Sequence, residues 1–265
     1  MAFVAFNSFQ RLTGCRQKQK YVPPVPPQPI LWFPLNDNTT NTANNGSLGS
    51  SNNLTMNNST MVSTTNPFGA TSYVLQLVTS TTAVGASIGS FTVGASATIC
   101  VWFQVGQAFS GSVAPIIFYW NFSGTTTTKG FCEHLFNKGF LCSNGSTSGV
   151  GYSSYGVSGG TGTYSGLSRT DDIVIATNTW YHMAFIVGTG AGAAGSGSVY
   201  LNNQYCGKYD GTSIFSGTSI TSLYIGNPVS TSSTQTIKFY DLRVYNQALT
   251  STQVSQLYSN QPVTV

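Results

Sequence analysis

Charge is what this sequence has least of. Asp, Glu, Lys and Arg make up 6% of its 265 residues, against roughly a quarter in an ordinary soluble domain. There is one glutamate, Glu133, and five aspartates, Asp37, Asp171, Asp172, Asp210 and Asp241. A retaining glycosidase needs two carboxyl groups about 5 Å apart, one of them acting as an acid. Asp171 and Asp172 are adjacent in an extended stretch and point to opposite faces, so the sequence offers no such pair. Calcium binding also needs several oxygen ligands, for which Asp37, Asp171 and Asp172 are the candidates. His134 and His182 are far apart, and His182 reads as a structural histidine with its hydrogen bonds satisfied. A serine nucleophile on a strand-to-helix elbow is not expected. The glycine-rich stretches lack the following Lys-Ser/Thr of a phosphate cradle. No cofactor, metal or catalytic residue is therefore expected, and the chain reads as non-enzymatic.

The five cysteines, Cys15, Cys100, Cys132, Cys142 and Cys206, show no metal-type spacing. Cys100 lies in an apolar run and reads as a small buried hydrophobe. Cys132 and Cys142 flank a predicted hairpin and could be bridged across it, although a reducing cytosol opposes that. The apolar opening Met-Ala-Phe-Val-Ala-Phe is broken by Asn7 and precedes the positive charges, so it does not read as a secretion signal. No run approaches the ~18 apolar residues of a membrane span, and synthesis in the cytoplasm is expected. Sequons at Asn38, Asn45, Asn53, Asn57, Asn58, Asn121 and Asn144 are what so much Asn, Ser and Thr produces by chance.

What is present points to strands. Apolar residues reach 40% and aromatics 13%, enough for a core and too much for a disordered chain. Thr, Val, Tyr and Phe outweigh the helix-favouring Glu and Lys. The net charge of +4 is uneven, because Arg11, Arg16, Lys18 and Lys20 lie in an acid-free opening segment. The remainder is balanced and offers little pull on nucleic acid. Residues 1–29 thus read as an arm. A basic part also carries the apolar anchors Phe3, Val4, Phe6, Phe9 and Leu12. It is followed by Val22-Pro-Pro-Val-Pro-Pro-Gln-Pro29, a polyproline II spacer that also contains PxxP spacings.

Residues 30–265 read as one antiparallel β-sandwich or jelly roll. Ile30–Asn36 is a terminal or edge strand, since Pro34 cannot donate to a ladder. Residues 37–72 read as a long surface loop with a short strand near Leu54–Met56. Further strands are expected at 73–79, 97–105, 113–121, 130–136, 139–143, 171–176, 180–188, 198–206, 220–226 and 235–246. The run 97–105 is apolar nearly throughout, as in a central strand. Asn202-Asn203 supplies the positive φ of a tight hairpin turn. Trp102, Trp180 and Tyr245 are expected in the core, and Asp241 is expected to pair with Arg243 or accept backbone hydrogen bonds. One short helix is signalled by the capping box Thr250-Ser-Thr-Gln253, with Leu249 and Val254 as its staple.

Four segments in order carry a family resemblance. Trp180-Tyr-His-Met-Ala-Phe-Ile-Val187, Val199-Tyr-Leu-Asn-Asn203, Leu223-Tyr-Ile-Gly-Asn227 and Ile237–Leu249 with Gln253 and Leu257-Tyr258 resemble motifs of concanavalin A-like lectin/glucanase, or laminin G-like, domains. Leu31-Trp-Phe-Pro-Leu and Thr98-Ile-Cys-Val-Trp102 fit that family's early strands, so the resemblance runs from about residue 30 to 260. Asn202-Asn203 replaces the family's hairpin Asp-Gly, and the closely spaced acids of its glucanases are missing. Laminin G-like domains also occur in large DNA virus proteins. The resemblance, the arm and the low charge together imply a non-enzymatic assembly protein, such as a minor capsid or virion-surface component. Its arm residues Phe3, Phe6, Phe9, Arg11, Arg16, Lys18 and Lys20 would bind neighbouring capsid proteins. The alternative is a carbohydrate-binding module, extracellular or at a cell surface, with Tyr152, Tyr155 and Tyr164 touching sugar. A glycosidase is least supported.

Overall fold

β-branched and aromatic runs form the strands here, and tracts of Ser, Thr, Asn and Gly supply the turns between them. The structure is a computed structural model that describes residues 25–39, 41–79, 85–93, 96–106, 116–122, 129–136, 140–146, 167–168, 175–190, 193–210, 219–226 and 235–259. In chain order the strands are β1 (Leu31–Phe33), β2 (Asn41–Thr42), β3 (Leu54–Met56), β4 (Ser59–Thr65), β5 (Thr71–Thr79) and β6 (Ala86–Ile88). They continue with β7 (Phe91–Thr92), β8 (Ala97–Val105), β9 (Ile116–Phe122), β10 (Lys129–Phe136), β11 (Phe140–Ser146) and β12 (Leu167–Ser168). The last are β13 (Trp180–Gly190), β14 (Ala193–Leu201), β15 (Gln204–Asp210), β16 (Ser219–Ile225) and β17 (Gln235–Tyr245), followed by helix α1 (Ser251–Ser259).

These strands form two antiparallel sheets. The larger runs β12-β15-β14-β13-β8-β17-β5-β4, with β1 also on β17, and the smaller runs β11-β10-β9-β16-β6-β3-β2, with β7 also on β16. Between them lies one apolar cluster to which both contribute, Phe103, Phe185 and Phe239 from the larger and Leu54, Phe118 and Leu223 from the smaller. The rings of Phe118 and Phe185 meet at 5.9 Å across the sandwich. At about 25 cal/mol per Å² of apolar surface removed from water, this cluster dominates the stability.

All nine residues of β8 are buried. Its inward side chains enter the core, and its outward ones lie beneath α1 and the turn at Asn66–Ala70. Burial on both faces explains the continuous apolar run there. The hairpin turn is as expected, Asn202 and Asn203 having φ of 48° and 64°. The helix also begins as expected. Thr250 N donates to Gln253 Oε1 at 2.9 Å, Gln253 N donates to Thr250 Oγ1 at 3.3 Å, and Leu249 and Val254 share one apolar cluster.

Four departures from the sequence reading bear on the site. The stretch read as loop contains β4, whose sequence Ser59-Thr-Met-Val-Ser-Thr-Thr65 buries only Met61. Pairing with β5 along its whole length holds it as an edge strand, so it needs little apolar signal. At the expected strand 171–176, Ile175 and Ala176 are irregular and the rest lies outside the described residues. Trp180 is half-buried, not a core residue. It opens β13 at the margin of the covered face, and its Nε1 donates to Thr65 O at 3.1 Å. His182 is buried, but its Nδ1 has no hydrogen-bond partner, because rings surround it.

Candidate functional site

Alternation along β8 sends Cys100 and Trp102 to the sheet face away from the core, where His182 and Ala184 of β13 and Tyr240 and Tyr245 of β17 join them. Helix α1 covers this face. Val254 and Leu257 pack with Cys100, Ala184, Ile186 and Tyr245. Tyr258 stacks on Trp102 at 5.5 Å, and Phe68 meets the same indole edge-on at 5.3 Å. His182 is the directly opposite cross-strand partner of Trp102, with rings 5.1 Å apart. Burial, reinforced by the Arg243 cation, lowers the His182 pKa from 6.5 to about 3, so the imidazole is neutral in the folded protein. Burial also pushes the Cys100 thiol far up, leaving no thiolate for nucleophilic chemistry.

A second cluster forms where β17 bulges. Asp241 has a φ of 50°, which an Asp tolerates better than most residues. Its N–H donates to Pro34 O at 3.0 Å. Its Oδ1 accepts from Trp32 Nε1 at 2.8 Å and Arg243 Nε at 2.9 Å, and the guanidinium also lies over the Trp32 ring at 5.0 Å. Burial raises the Asp241 pKa while Arg243 and Trp32 act against it. Two N–H donors on one oxygen suit an ionised acceptor. The cluster ties the first strand to the last, which is the structural role expected of Asp241.

The hairpin β14–β15 carries aromatics that the sequence reading missed. Tyr200 and Tyr205 are direct cross-strand partners with rings edge-to-face at 5.5 Å, and Tyr205 is 55% exposed. The signal was available, since a two-residue turn at Asn202-Asn203 places positions 200 and 205 opposite each other. The turn is rigidly held. His182 N donates to Asn202 Oδ1, Asn202 N to His182 O, and Asn203 Nδ2 to Ser255 Oγ of α1.

The arm residues Phe3, Phe6, Phe9, Arg11, Arg16, Lys18 and Lys20, the tyrosines Tyr152, Tyr155 and Tyr164, and Asp171 and Asp172 lie outside the described residues. Asp37 is exposed and accepts from Thr39 N and Oγ1. Among the described residues no group of three His, Cys, Asp or Glu could hold a metal ion. Cys132 pairs in register with Asn144 and Cys142 with His134. The side chains of the two cysteines lie outside those the structure describes. Contrary to the sequence expectation, Gly85-Ala-Ser-Ile-Gly89 does spell a nucleophile-elbow pattern. Ser87, however, sits within strand β6 and its Oγ accepts from Asn57 Nδ2 at 3.1 Å, not on a strand-to-helix turn.

Comparison with known proteins bears on the fold. No curated protein matches the chain. A Trypanosoma rangeli sialidase superposes with a TM-score of 0.55 at 12% identity, covering 86% of this chain and 32% of its own. The binding domain of botulinum neurotoxin DC, solved in complex with SialylT, gives 0.55 at 12% identity over 89% of this chain and 52% of its own. That of Paraclostridial Mosquitocidal Protein 1 gives 0.50 at 12%, over 87% and 52%. The chain therefore spans about a third to a half of these structures, and such identities show the fold alone. The model of the concanavalin A-like lectin/glucanases superfamily matches residues 78–255, and β1 joins that matched part by pairing with β17. The chain belongs to the concanavalin A-like lectin/glucanase superfamily.

Proposed function

We propose that this protein is a non-enzymatic assembly component, a minor capsid or virion-surface protein made in the host cytoplasm and held in its shell by the N-terminal arm. The observation that carries the reading is the division between arm and body. Four of the ten basic residues precede Tyr21 with no acid among them. The chain then enters the sandwich within five residues, from Val25 at 76% exposure to Ile30 at 6%. Ile30 N donates to Val244 O, and Leu31–Phe33 complete the sheet edge, so the body closes its core after the arm. Asp241 and Arg243, the buried ion pair of the described core, are committed to each other and to Trp32, which supports a role without catalysis. The test compares particles from cells expressing the whole chain with particles from cells expressing a version lacking residues 1–24. The shortened protein is expected to melt at the same temperature and to be missing from the particles. Incorporation at the full level overturns the reading.

A second reading, a carbohydrate-binding module, is favoured by Tyr200 and Tyr205. Paired aromatic faces on a rigid hairpin, flanked by neutral amides, suit the apolar face of a sugar ring. A glycan-array signal lost in Tyr205→Ala, with the melting temperature kept, supports it. Binding unaffected by that substitution removes this site.

A further inference from the structure

We propose that α1 is a latch over the outer face of the larger sheet, and that acidification opens it by freeing His182 to take up a proton. The case begins with how the helix is docked. Its apolar contribution is small, two buried side chains, Val254 and Leu257, helped by Tyr258 on Trp102. Against this stand buried polar atoms. Five buried side-chain atoms among the described residues lack a partner in the protein. Besides Tyr245 Oη, which Arg243 approaches, Trp102 Nε1, His182 Nδ1 and Gln256 Oε1 lie under α1 or on it. Each such group adds a cost to the docked state that exposure to water removes. The helix also adds no strand to either sheet, and such units open well below the free energy of global unfolding.

His182 gives the latch its sensitivity. Its ring is covered by Tyr258 at 6.0 Å and Trp102 at 5.1 Å. Of the elements around it, β8 presents Trp102, α1 presents Tyr258, and the hairpin tip presents Asn202, whose Oδ1 is already used by the His182 backbone. The charged group that acts on it is Arg243 of β17, which opposes protonation. Lifting α1 removes Tyr258 and lets water reach the imidazole. Docked, the group stays neutral down to about pH 3, whereas reached by water it takes up a proton at a higher pH, with Arg243 still holding it below the ordinary imidazole value. The sign follows. The docked state is fully favoured above pH 6.5 and loses that advantage as pH falls toward 3. Between pH 7.5 and 5.0 the opening equilibrium grows several-fold, with about 30-fold as the ceiling set by an unperturbed imidazole. Opening uncovers Trp102 together with Cys100, which Val254 and Leu257 shield.

Cys100 is therefore a built-in reporter. The full chain is reacted at pH 7.5 and 5.0 with 4,4′-dithiodipyridine, which modifies thiols in acid, and Cys100 is followed by peptide-resolved mass spectrometry. His182→Gln at each pH cancels the reagent's own pH dependence. The wild-type rate relative to the variant is expected to rise several-fold, at most about 30-fold, on acidification, while amide exchange in β8 and β17 stays at the level of the sandwich. A ratio unchanged between the two pH values overturns the proposal. So does labelling that proceeds only at the rate of global unfolding. Should His182→Gln not fold, Leu257→Asp replaces it. This variant is expected to label fast at both pH values with far-UV dichroism kept, and protection of Cys100 in it overturns the latch.

Discussion

The indole N–H of Trp32 donates to Asp241 Oδ1 at 2.8 Å across 209 positions of sequence. Arg243 completes the arrangement, giving one N–H to the same oxygen and stacking its cation on the same indole. A local irregularity, the bulge in β17, is thereby used to lock the first strand of the body in place.

Removing the carboxylate leaves Arg243 partly buried without its anion. Asp241→Ala is expected to cost about 3–5 kcal/mol, part of it from a left-handed backbone that Ala tolerates poorly. Asp241→Asn keeps an acceptor and tolerates that φ, and should cost clearly less. Urea unfolding of both variants checks this, and equal losses would mean that charge, not the acceptor, is what matters.

Trp102 and Trp180 occupy different environments and should differ in effect. Trp102 is 5% exposed between Phe68, His182 and Tyr258, so Trp102→Ala is expected to cost about 3–5 kcal/mol. Trp180 is half-buried and should cost about 1–2 kcal/mol, largely its bond to Thr65 O. Calorimetric melting of the two variants gives the order.

Gly46 lies against the root of the arm. A Cβ built there meets the carbonyl of Ile30 closer than van der Waals contact allows. Gly46→Ala is expected to push Ile30 off Val244 and destabilise the body by about 1–3 kcal/mol. Loss of protection at the Ile30 amide in hydrogen exchange locates the effect.

The capping box sets the strength of α1. Thr250→Ala removes the acceptor for Gln253 N and is expected to cost about 1 kcal/mol. The loss should be confined to amide exchange within residues 251–259, with the strands unaffected.

Much of this was legible in the sequence, for reasons visible in particular elements. β8 is apolar nearly throughout because both its faces are covered, and the Asn202-Asn203 turn and the Thr250–Gln253 box are signals a few residues long. Asp241 announced its need for a partner, and Arg243 stands two positions away. Trp32 could not be read as the second partner, because nothing local links the two ends of the chain. β4 was hidden because an edge strand of Ser and Thr has no apolar period. His182 was misjudged because its surroundings depend on where α1 lands, a tertiary fact. The Tyr200–Tyr205 pair was recoverable by counting outward from the turn.

The position of β17 has a consequence for biosynthesis. It fills the place between β8 on one side and β5 and β1 on the other, yet it is the last strand in sequence. A growing chain therefore carries an unfilled slot in the middle of its larger sheet, with two unpaired strand edges facing each other. The slot closes only once residues 235–245 have left the ribosome, so the larger sheet is completed after all its other strands have been made.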